Sequence, residues 1–408
     1  MKVLLVSISA PPQNAPESLQ VMRYARHLAE HTELTVLTIK EEKSGWRRAD
    51  PGLEKVNCSA RFVRLPHYSL FSRLVVKIFG EHVLLPDADF LFPLQWRRAV
   101  GKLGAKPDVI YSRSTPYSSA LMGLKLHEYY RVPWIMHLSD PWADNPFLNN
   151  LPQKLKDKHQ RLEKLCMERA WAITLTSSQA IQYYQAKYPS MKNKFRLLFN
   201  VFDECDICHE PIDFSAKCRF VFTGRLYGKR RLHPLIEALE AAIAQNPKLE
   251  EATEFLFAGF FADENIHRIR TASCRNIQYI GPVSLSQALE LQRKSTVLIS
   301  IDALEENNTL YNLFFPSKLL DYLASGRKIL CITGKDSPTF EIVNNRFGWC
   351  FHSENLSQLP GFLNEIQRRY DQQDRTFFQY RGDFSQFSAQ YNVNNLLMLL
   401  KEAVQDAR

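Results

Sequence analysis

The sequence predicts an α/β chain built from two doubly wound domains in series. Three observations point there. The chain opens on a strand, loop, helix and strand; the same rhythm restarts near residue 219; and both signals lapse between Asn200 and Ser215. The length agrees, because 408 residues is too many for one ordinary core and suits two domains of about 200 residues each.

The opening strand is the apolar run from Val3 to Ile8, which reads as buried on both faces. Pro11 to Pro16 make a loop. Ser18 to Glu30 has helical spacing, with Leu19, Met22, Ala25 and Leu28 as its apolar stripe, and Leu34 to Ile39 is the next strand. Val109–Tyr111, Trp134–His137 and Ala172–Thr176 repeat the strand signal, with an amphipathic stretch from Leu155 to Arg169. In the second half, strands are expected at 219–223, 255–258, 277–280, 296–301 and 328–332, and helices at 231–244, 284–292 and 317–324. The domains expected are 1–200, 201–375 and a helical segment 376–408 that returns toward the first. Doubly wound domains bind ligands beyond the carboxyl ends of their strands, so the chemistry is sought there and in a cleft between the domains.

Composition narrows the partners. The apolar fraction of 45% and charged fraction of 23% are those of a globular chain, which argues against extensive disorder. A net charge of +9 favours anionic partners. Nucleic acid is not expected, since zinc-finger spacing, an arginine-rich tail and basic-aromatic interleaving are all missing from the sequence. From Arg61 to Lys106 eight Lys/Arg stand against three Asp/Glu, among Leu70-Phe71, Leu74-Val75-Val76 and Ile78-Phe79. That mixture fits contact with an anionic membrane, or a solvated helix face. The first apolar run is too short for a signal peptide, and no stretch reaches the ~20 apolar residues that span a bilayer. A cytoplasmic chain, peripheral at the inner membrane face at most, is expected. Cys205 and Cys208 have CxxC spacing without a second pair, which is weak for zinc or redox chemistry, so the eight cysteines are read as structural thiols.

Four segments could carry chemistry. Thr223-Gly224-Arg225 ends the first strand of the second domain, with Lys229 and Arg230 following; a glycine and cations at such a turn suit a diphosphate, or simply make a solvated turn. Pro316-Ser317-Lys318-Leu319 starts a helix whose first turn offers Ser317, Lys318 and the Leu319 amide to phosphate oxygens. Asp321, one turn on, could accept a ligand hydroxyl, and Gly326 ends the helix. In the first domain His137, Asp140 and Trp142 follow a strand and could orient hydroxyls. The donor-rich segment Ser112–Ser119 could hold an anionic or hydroxylated ligand. No third ligand joins His137 and Asp140, so no metal site is expected. A G-x-G-x-x-G fingerprint and a P-loop lysine are both missing, which lowers dehydrogenase and NTPase readings.

Taken together these segments resemble the retaining glycosyltransferases of the GT-B fold, in particular family 4 of bacterial cell-surface polysaccharide enzymes. The segments that carry the resemblance are the proline loop and first helix, His137-Leu-Ser-Asp140-Pro-Trp142, the Ala172–Thr176 strand, the turn Leu198–Asp203, Thr223-Gly224-Arg225 with Lys229, and Pro316 through Gly326. The resemblance implies two Rossmann-like domains facing a central cleft. It also implies a nucleoside-diphosphate-sugar donor and a glycan or lipid-linked acceptor. Catalytic roles fall to His137, Asp140, Arg225, Lys229 and Asp321, and donor binding to Gly224, Arg225, Lys229, Pro316, Ser317, Lys318, Leu319 and Asp321. No cofactor or metal is implied, because cationic side chains stabilise the departing diphosphate. The sequence departs from the family where two glutamates usually stand eight positions apart: the second is Asp321 and the first is Leu313, with Glu305 or Glu306 as neighbouring substitutes. Val201 and Phe199 replace the glycine and proline of the interdomain turn. An epimerase of the same fold and a non-catalytic partner protein are the competing readings.

Overall fold

The computed structural model describes residues 1–40, 49–50, 53, 58–67, 74–75, 77–78, 84–207, 210–304, 309–379 and 382–408. The chain divides into two compact units. The first comprises Met1–Asp203, Leu313–Phe315 and Ser385–Arg408; the second comprises Glu204–Asn312 and Pro316–Phe384.

Among the described residues the first unit is built on seven parallel strands: β1 (Lys2–Val6), β2 (Glu33–Ile39), β3 (Arg61–Leu65), β4 (Val109–Ser114), β5 (Trp134–Leu138), β6 (Ala172–Leu175) and β7 (Phe195–Leu197). Their order is β3-β2-β1-β4-β5-β6-β7, so the winding reverses between β1 and β4. The helices are α1 (Pro16–His31), α2 (Trp96–Leu103), α3 (Ser118–Tyr130), α4 (Gln153–Arg169) and α5 (Ser178–Lys187), with a C-terminal helix Ala389–Asp406. Because side chains alternate across a strand, each face of the sheet has its own core. Ile110, Trp134, Met136 and Leu138 join Ala120, Leu124 and Met167 on one face. Val109, Tyr111 and Ile135 pack on the other against Val21, Tyr24 and Leu28 of α1 and Val393, Leu396 and Leu400 of the C-terminal helix.

Among the described residues the second unit holds six parallel strands: β8 (Cys218–Leu226), β9 (Thr253–Phe261), β10 (Ile277–Gly281), β11 (Val297–Ile301), β12 (Lys328–Ile332) and β13 (Gly348–Phe351). The order is β10-β9-β8-β11-β12-β13, with its reversal between β8 and β11. The longer helices are α6 (His233–Gln245), α7 (Asp263–Arg270), α8 (Leu285–Arg293), α9 (Lys318–Ala324), α10 (Pro338–Val343) and α11 (Leu359–Asp371). Stacked Phe220 and Phe255, 4.3 Å apart, sit in a core with Leu235, Leu239 and Leu363.

One segment differs from its sequence reading. Arg61–Leu65 falls in the basic-apolar stretch of the sequence, yet it pairs with β2 along its whole length as an edge strand. Its arginines are used internally: Arg61 donates to the Lys102 and Leu103 carbonyls, and Arg64 to the Pro11 carbonyl. The described cysteines are free thiols, and Cys208 lies outside the described residues. Among the described residues no helix is long and apolar enough to cross a membrane.

Candidate functional site

At the reversal point of the first sheet, charge is paired internally. Arg113 on β4 is wholly buried and lies in register with His137 on β5, which is in turn beside Thr174 on β6. Arg113 Nε donates to Glu17 Oε1 at 2.7 Å, Nη1 to the Tyr111 hydroxyl at 3.0 Å and Nη2 to Asn200 Oδ1 at 3.1 Å. The other Glu17 oxygen accepts from Ser139 Oγ at 2.6 Å. Glu17 stands in the first turn of α1, where the helix dipole favours a carboxylate. Burial pushes the Glu17 carboxyl up, opposed by the Arg113 charge and the Ser139 hydroxyl. The expectation that Ser112–Ser119 offers its donors to a ligand is therefore corrected at Arg113. That residue lies inside β4, and its charge is taken by Glu17.

His137 is wholly buried. Its Nδ1 is 2.9 Å from Thr174 Oγ1, its ring meets the edge of Tyr111 at 6.3 Å, and its Nε2 has no hydrogen-bond partner. Burial, and then the Arg113 charge, hold its pKa well below the usual imidazole value, so the ring is neutral near pH 7. Asp140 is half-buried just after β5, ahead of a loop that is fastened at each residue. Tyr117 donates to the Pro141 carbonyl at 2.5 Å, and the Trp142 amide to the Tyr184 hydroxyl at 3.0 Å. The Ala143 amide donates to buried Glu163 at 2.8 Å, Tyr183 donates to Asp144, and Asn145 donates to the Tyr117 hydroxyl. Trp142, expected at the strand-end site, is instead wholly buried, stacked on Tyr117 at 5.0 Å. It belongs to the scaffold that presents Asp140. The Leu198–Asp203 turn is likewise anchored on α1: the Val201 amide donates to Gln20, Arg23 donates to the Val201 carbonyl, and Arg26 pairs with Asp203.

The second sheet's edge is different. Gly224 on β8 and Gly259 on β9 are paired and have φ of +125° and +133°. A Cβ on Gly259 would lie 1.7 Å from the Gly224 carbonyl oxygen, so a side chain is excluded there. The Thr223 amide donates to the Tyr322 hydroxyl at 3.0 Å, and Gln292 donates to Thr223 Oγ1 at 2.8 Å, fixing the strand end to α9 and α8. Lys318, at the start of α9, passes Gly224 with its Cδ 3.6 Å from where a Cβ there would stand. Its ammonium is buried 3.7 Å from the Phe222 ring centroid, with no hydrogen-bond partner. Desolvation first, and then the neighbouring Arg230 charge, bring its pKa down to about 7, with Asp302 opposing.

The Arg225 guanidinium stands 5.5 Å from the Phe260 ring, and that of Arg230 is 5.5 Å from the Tyr227 ring. Lys229 is exposed, whereas Arg230 is the cation whose charge acts on Lys318. Pro316 is buried; Ser317 precedes α9 in helical conformation without capping it. The Leu319 amide already donates to the Pro316 carbonyl at 2.9 Å, and its side chain is wholly buried. The expectation that this amide meets phosphate is corrected: Ser317 Oγ and the Lys318 ammonium are the side-chain donors of the turn. Asp321 is half-buried in the first turn, and Gly326, at φ +73°, ends the helix. Leu313 is buried, so an apolar side chain fills the position where the resemblance calls for a glutamate; Glu305 and Glu306 lie outside the described residues.

The sequence reading missed Asp302, directly after β11. Its Oδ2 accepts from Thr333 Oγ1 at 2.8 Å and Thr339 Oγ1 at 2.7 Å, while Oδ1 is buried without a partner. The available signal was an acidic residue placed immediately after the apolar run Val297–Ile301.

Two doubly wound parallel sheets, the second with a glycine-lined, cationic carboxyl edge, define a protein of the GT-B fold. Residues 18–199 match the family model of the glycosyl transferase 4-like domain. The structure of HepE from Anabaena in complex with UDP and glucose is 14% identical, with a TM-score of 0.64 over 98% of this chain and 100% of that one. The apo structure of the lipopolysaccharide outer core galactosyltransferase WaaB is 13% identical, with a TM-score of 0.60 over 100% of both chains. A putative UDP-N-acetylglucosamine 2-epimerase from Listeria monocytogenes is 13% identical, with a TM-score of 0.58 over 99% of this chain and 97% of that one. At such identities the likeness is one of fold. No curated protein sequence matches the chain.

Proposed function

We propose that the chain is a retaining glycosyltransferase that moves a sugar from a nucleoside-diphosphate donor to a glycan or lipid-linked acceptor in cell-surface polysaccharide synthesis. The observation that carries this reading is the buried, unpartnered Lys318 ammonium beside Gly224 and Arg230. Burying a cation without a counter-charge is costly, and an arriving diphosphate offsets that cost. Negative charge grows on the diphosphate as the glycosidic bond breaks, and preorganised cations stabilise that change. Arg225, Lys318 and Arg230 take this part, with Lys229 at the rim and Ser317 donating to an oxygen. Asp321 holds donor hydroxyls. His137 meets the transferred sugar as a neutral group, and Asp140 orients the acceptor hydroxyl, which attacks from the side the nucleotide leaves. Cationic side chains fill the role a metal would otherwise play. The HepE structure, solved with UDP and glucose on the same fold, supports the choice of donor class.

Calorimetric titration with nucleoside diphosphates and their sugar conjugates tests the reading. Micromolar binding of one nucleotide is expected, with Arg225→Ala losing it in a protein that still unfolds cooperatively. Absence of binding across the panel moves the function to a non-catalytic partner, which buried Leu313 favours. Turnover of the donor without an acceptor would instead indicate an epimerase.

For the acceptor, we propose a cytoplasmic chain with peripheral contact at the inner membrane face. Leu74 and Ile78 are 52% and 62% exposed beside exposed Lys77, and Leu94 is 70% exposed near exposed Arg97 and Arg98. Leu70, Phe71, Arg73, Val76 and Phe79 lie outside the described residues. Salt-sensitive binding to anionic vesicles, weakened by reversing Arg73 and Lys77, is expected; equal binding to neutral vesicles would remove the electrostatic part of the reading.

A further inference from the structure

Two buried polar atoms of opposite charge are left without partners at the carboxyl edge of the second sheet: Lys318 Nζ and Asp302 Oδ1. Both belong to the reversal point. Asp302 follows β11, which pairs with β8 from Val297 and Phe220 onward, and its own amide donates to the Ile332 carbonyl at 2.9 Å. Lys318 lies over Phe222 and against Gly224 of the same β8. The two groups are near enough for the Asp302 charge to act on Lys318, yet they do not close into an ion pair.

Asp302 is held in place. Thr333 and Thr339 donate to one carboxylate oxygen, and Thr333 is itself 2.7 Å from Ser337 Oγ, the cap of α10. With Oδ2 committed, Oδ1 is left as a buried acceptor. Lys318 is fixed as a donor by the Phe222 ring and its own packing. A buried donor and a buried acceptor that stop short of one another fit a third group able to serve both. A hydroxyl does so: its oxygen accepts from the ammonium and its hydrogen is donated to the carboxylate. A bare phosphate oxygen cannot serve both, because it has no proton to offer Asp302; the ammonium has three donors, so one bond to the hydroxyl leaves others for the diphosphate.

We propose that Lys318 and Asp302 form a receptor for one hydroxyl of the donor, making Asp302 a specificity-determining residue. This rests on the nucleotide-sugar reading above. The hydroxyl belongs to the ribose or to the transferred sugar, and the two sources separate in the test.

Calorimetry on the full chain, with Asp302→Ala and Asp302→Asn as variants, uses four ligands: the nucleoside diphosphate that binds, its 2′-deoxyribose analogue, its sugar conjugate and a deoxysugar conjugate. In the native chain one deoxy ligand should bind about 10- to 100-fold more weakly than its hydroxylated counterpart, as for a charge-assisted hydrogen bond. Weak binding of the 2′-deoxyribose analogue identifies the ribose, and weak binding of the deoxysugar conjugate identifies the sugar. In Asp302→Ala the discrimination should collapse to within about 2-fold, while the deoxy ligand binds as it does to the native chain. Asp302→Asn keeps an oxygen for the threonines and guards against a folding failure, and its discrimination should fall likewise. Equal weakening of hydroxylated and deoxy ligands by both variants, or no native discrimination at either position, overturns the inference while leaving the donor reading intact. No nucleotide binding to the native chain overturns both.

Discussion

The carboxyl edges of the two sheets are built from similar parts and treat charge in opposite ways. In the first unit Arg113 is wholly buried but meets Glu17, Tyr111 and Asn200, and Glu17 meets Ser139 as well. In the second unit Lys318 has its ammonium buried against an aromatic face, with no hydrogen bond or ion pair closed on the nearby Asp302. A charge closed on its own chain is scaffold. A charge left open at a strand end is a demand for something from outside. The contrast assigns the two edges different tasks: the first holds α1, the Asn200 turn and the β5 strand end in place, and the second awaits an anion.

The largest effect should come from breaking the closed pair. Arg113→Met leaves the Glu17 carboxylate buried without its partner and should cost about 3–5 kcal/mol in urea unfolding. The double variant Glu17→Gln, Arg113→Met should be less damaged than the single one, because no uncompensated charge remains. If Arg113→Met were as stable as the native chain, the pair would not be scaffold and Arg113 would return as a ligand-binding candidate.

The open charge should behave in reverse. Lys318→Met removes a buried cation that the ligand-free chain does not pair, so stability should hold or rise slightly. Nucleotide affinity should fall about 10- to 100-fold, the range of a charge-assisted hydrogen bond. A variant that loses stability but not affinity would make Lys318 a packing residue and remove the contrast.

How far the sequence carried this contrast depends on the range of the interactions. Both sheets were readable because buried parallel strands are apolar runs, and Val3–Ile8, Leu34–Ile39 and Phe255–Ala258 all fall on or beside strands. Short edge strands were not: Arg61–Leu65 is five residues with two arginines, and its pairing with β2 is invisible locally. The open cation was within reach, since Gly224 and Lys318 occupy recognisable turns. The closed pair was not, because Glu17 and Arg113 are 96 positions apart and nothing in either segment names the other. Arg113 therefore read as a loop donor when it is a core residue. Asp302 escaped for a related reason: its two threonine partners lie 31 and 37 residues away. Trp142 and Leu319 show the converse error, motif residues credited with contacts that burial and an internal hydrogen bond already use.

The smallest and sharpest expectation concerns protons. Lys318 has its pKa brought down to about 7 by desolvation and by Arg230. Above that pH Lys318 in the ligand-free chain is largely neutral. A bound diphosphate supplies the missing counter-charge and favours the ammonium, so the pKa rises toward the usual lysine range in the complex. Binding therefore takes up a proton at a pH above the ligand-free value and little or none below it. Affinity should weaken as pH rises through about 7 and level off on the acid side. Titrations at about pH 8 in two buffers of different ionisation enthalpy should reveal close to one proton absorbed per nucleotide, with most of that uptake gone in Lys318→Met. Proton release, or uptake unchanged in Lys318→Met, would mean that the ammonium is already charged or stays out of the complex. The open edge would then owe its anion affinity to Arg225 and Arg230.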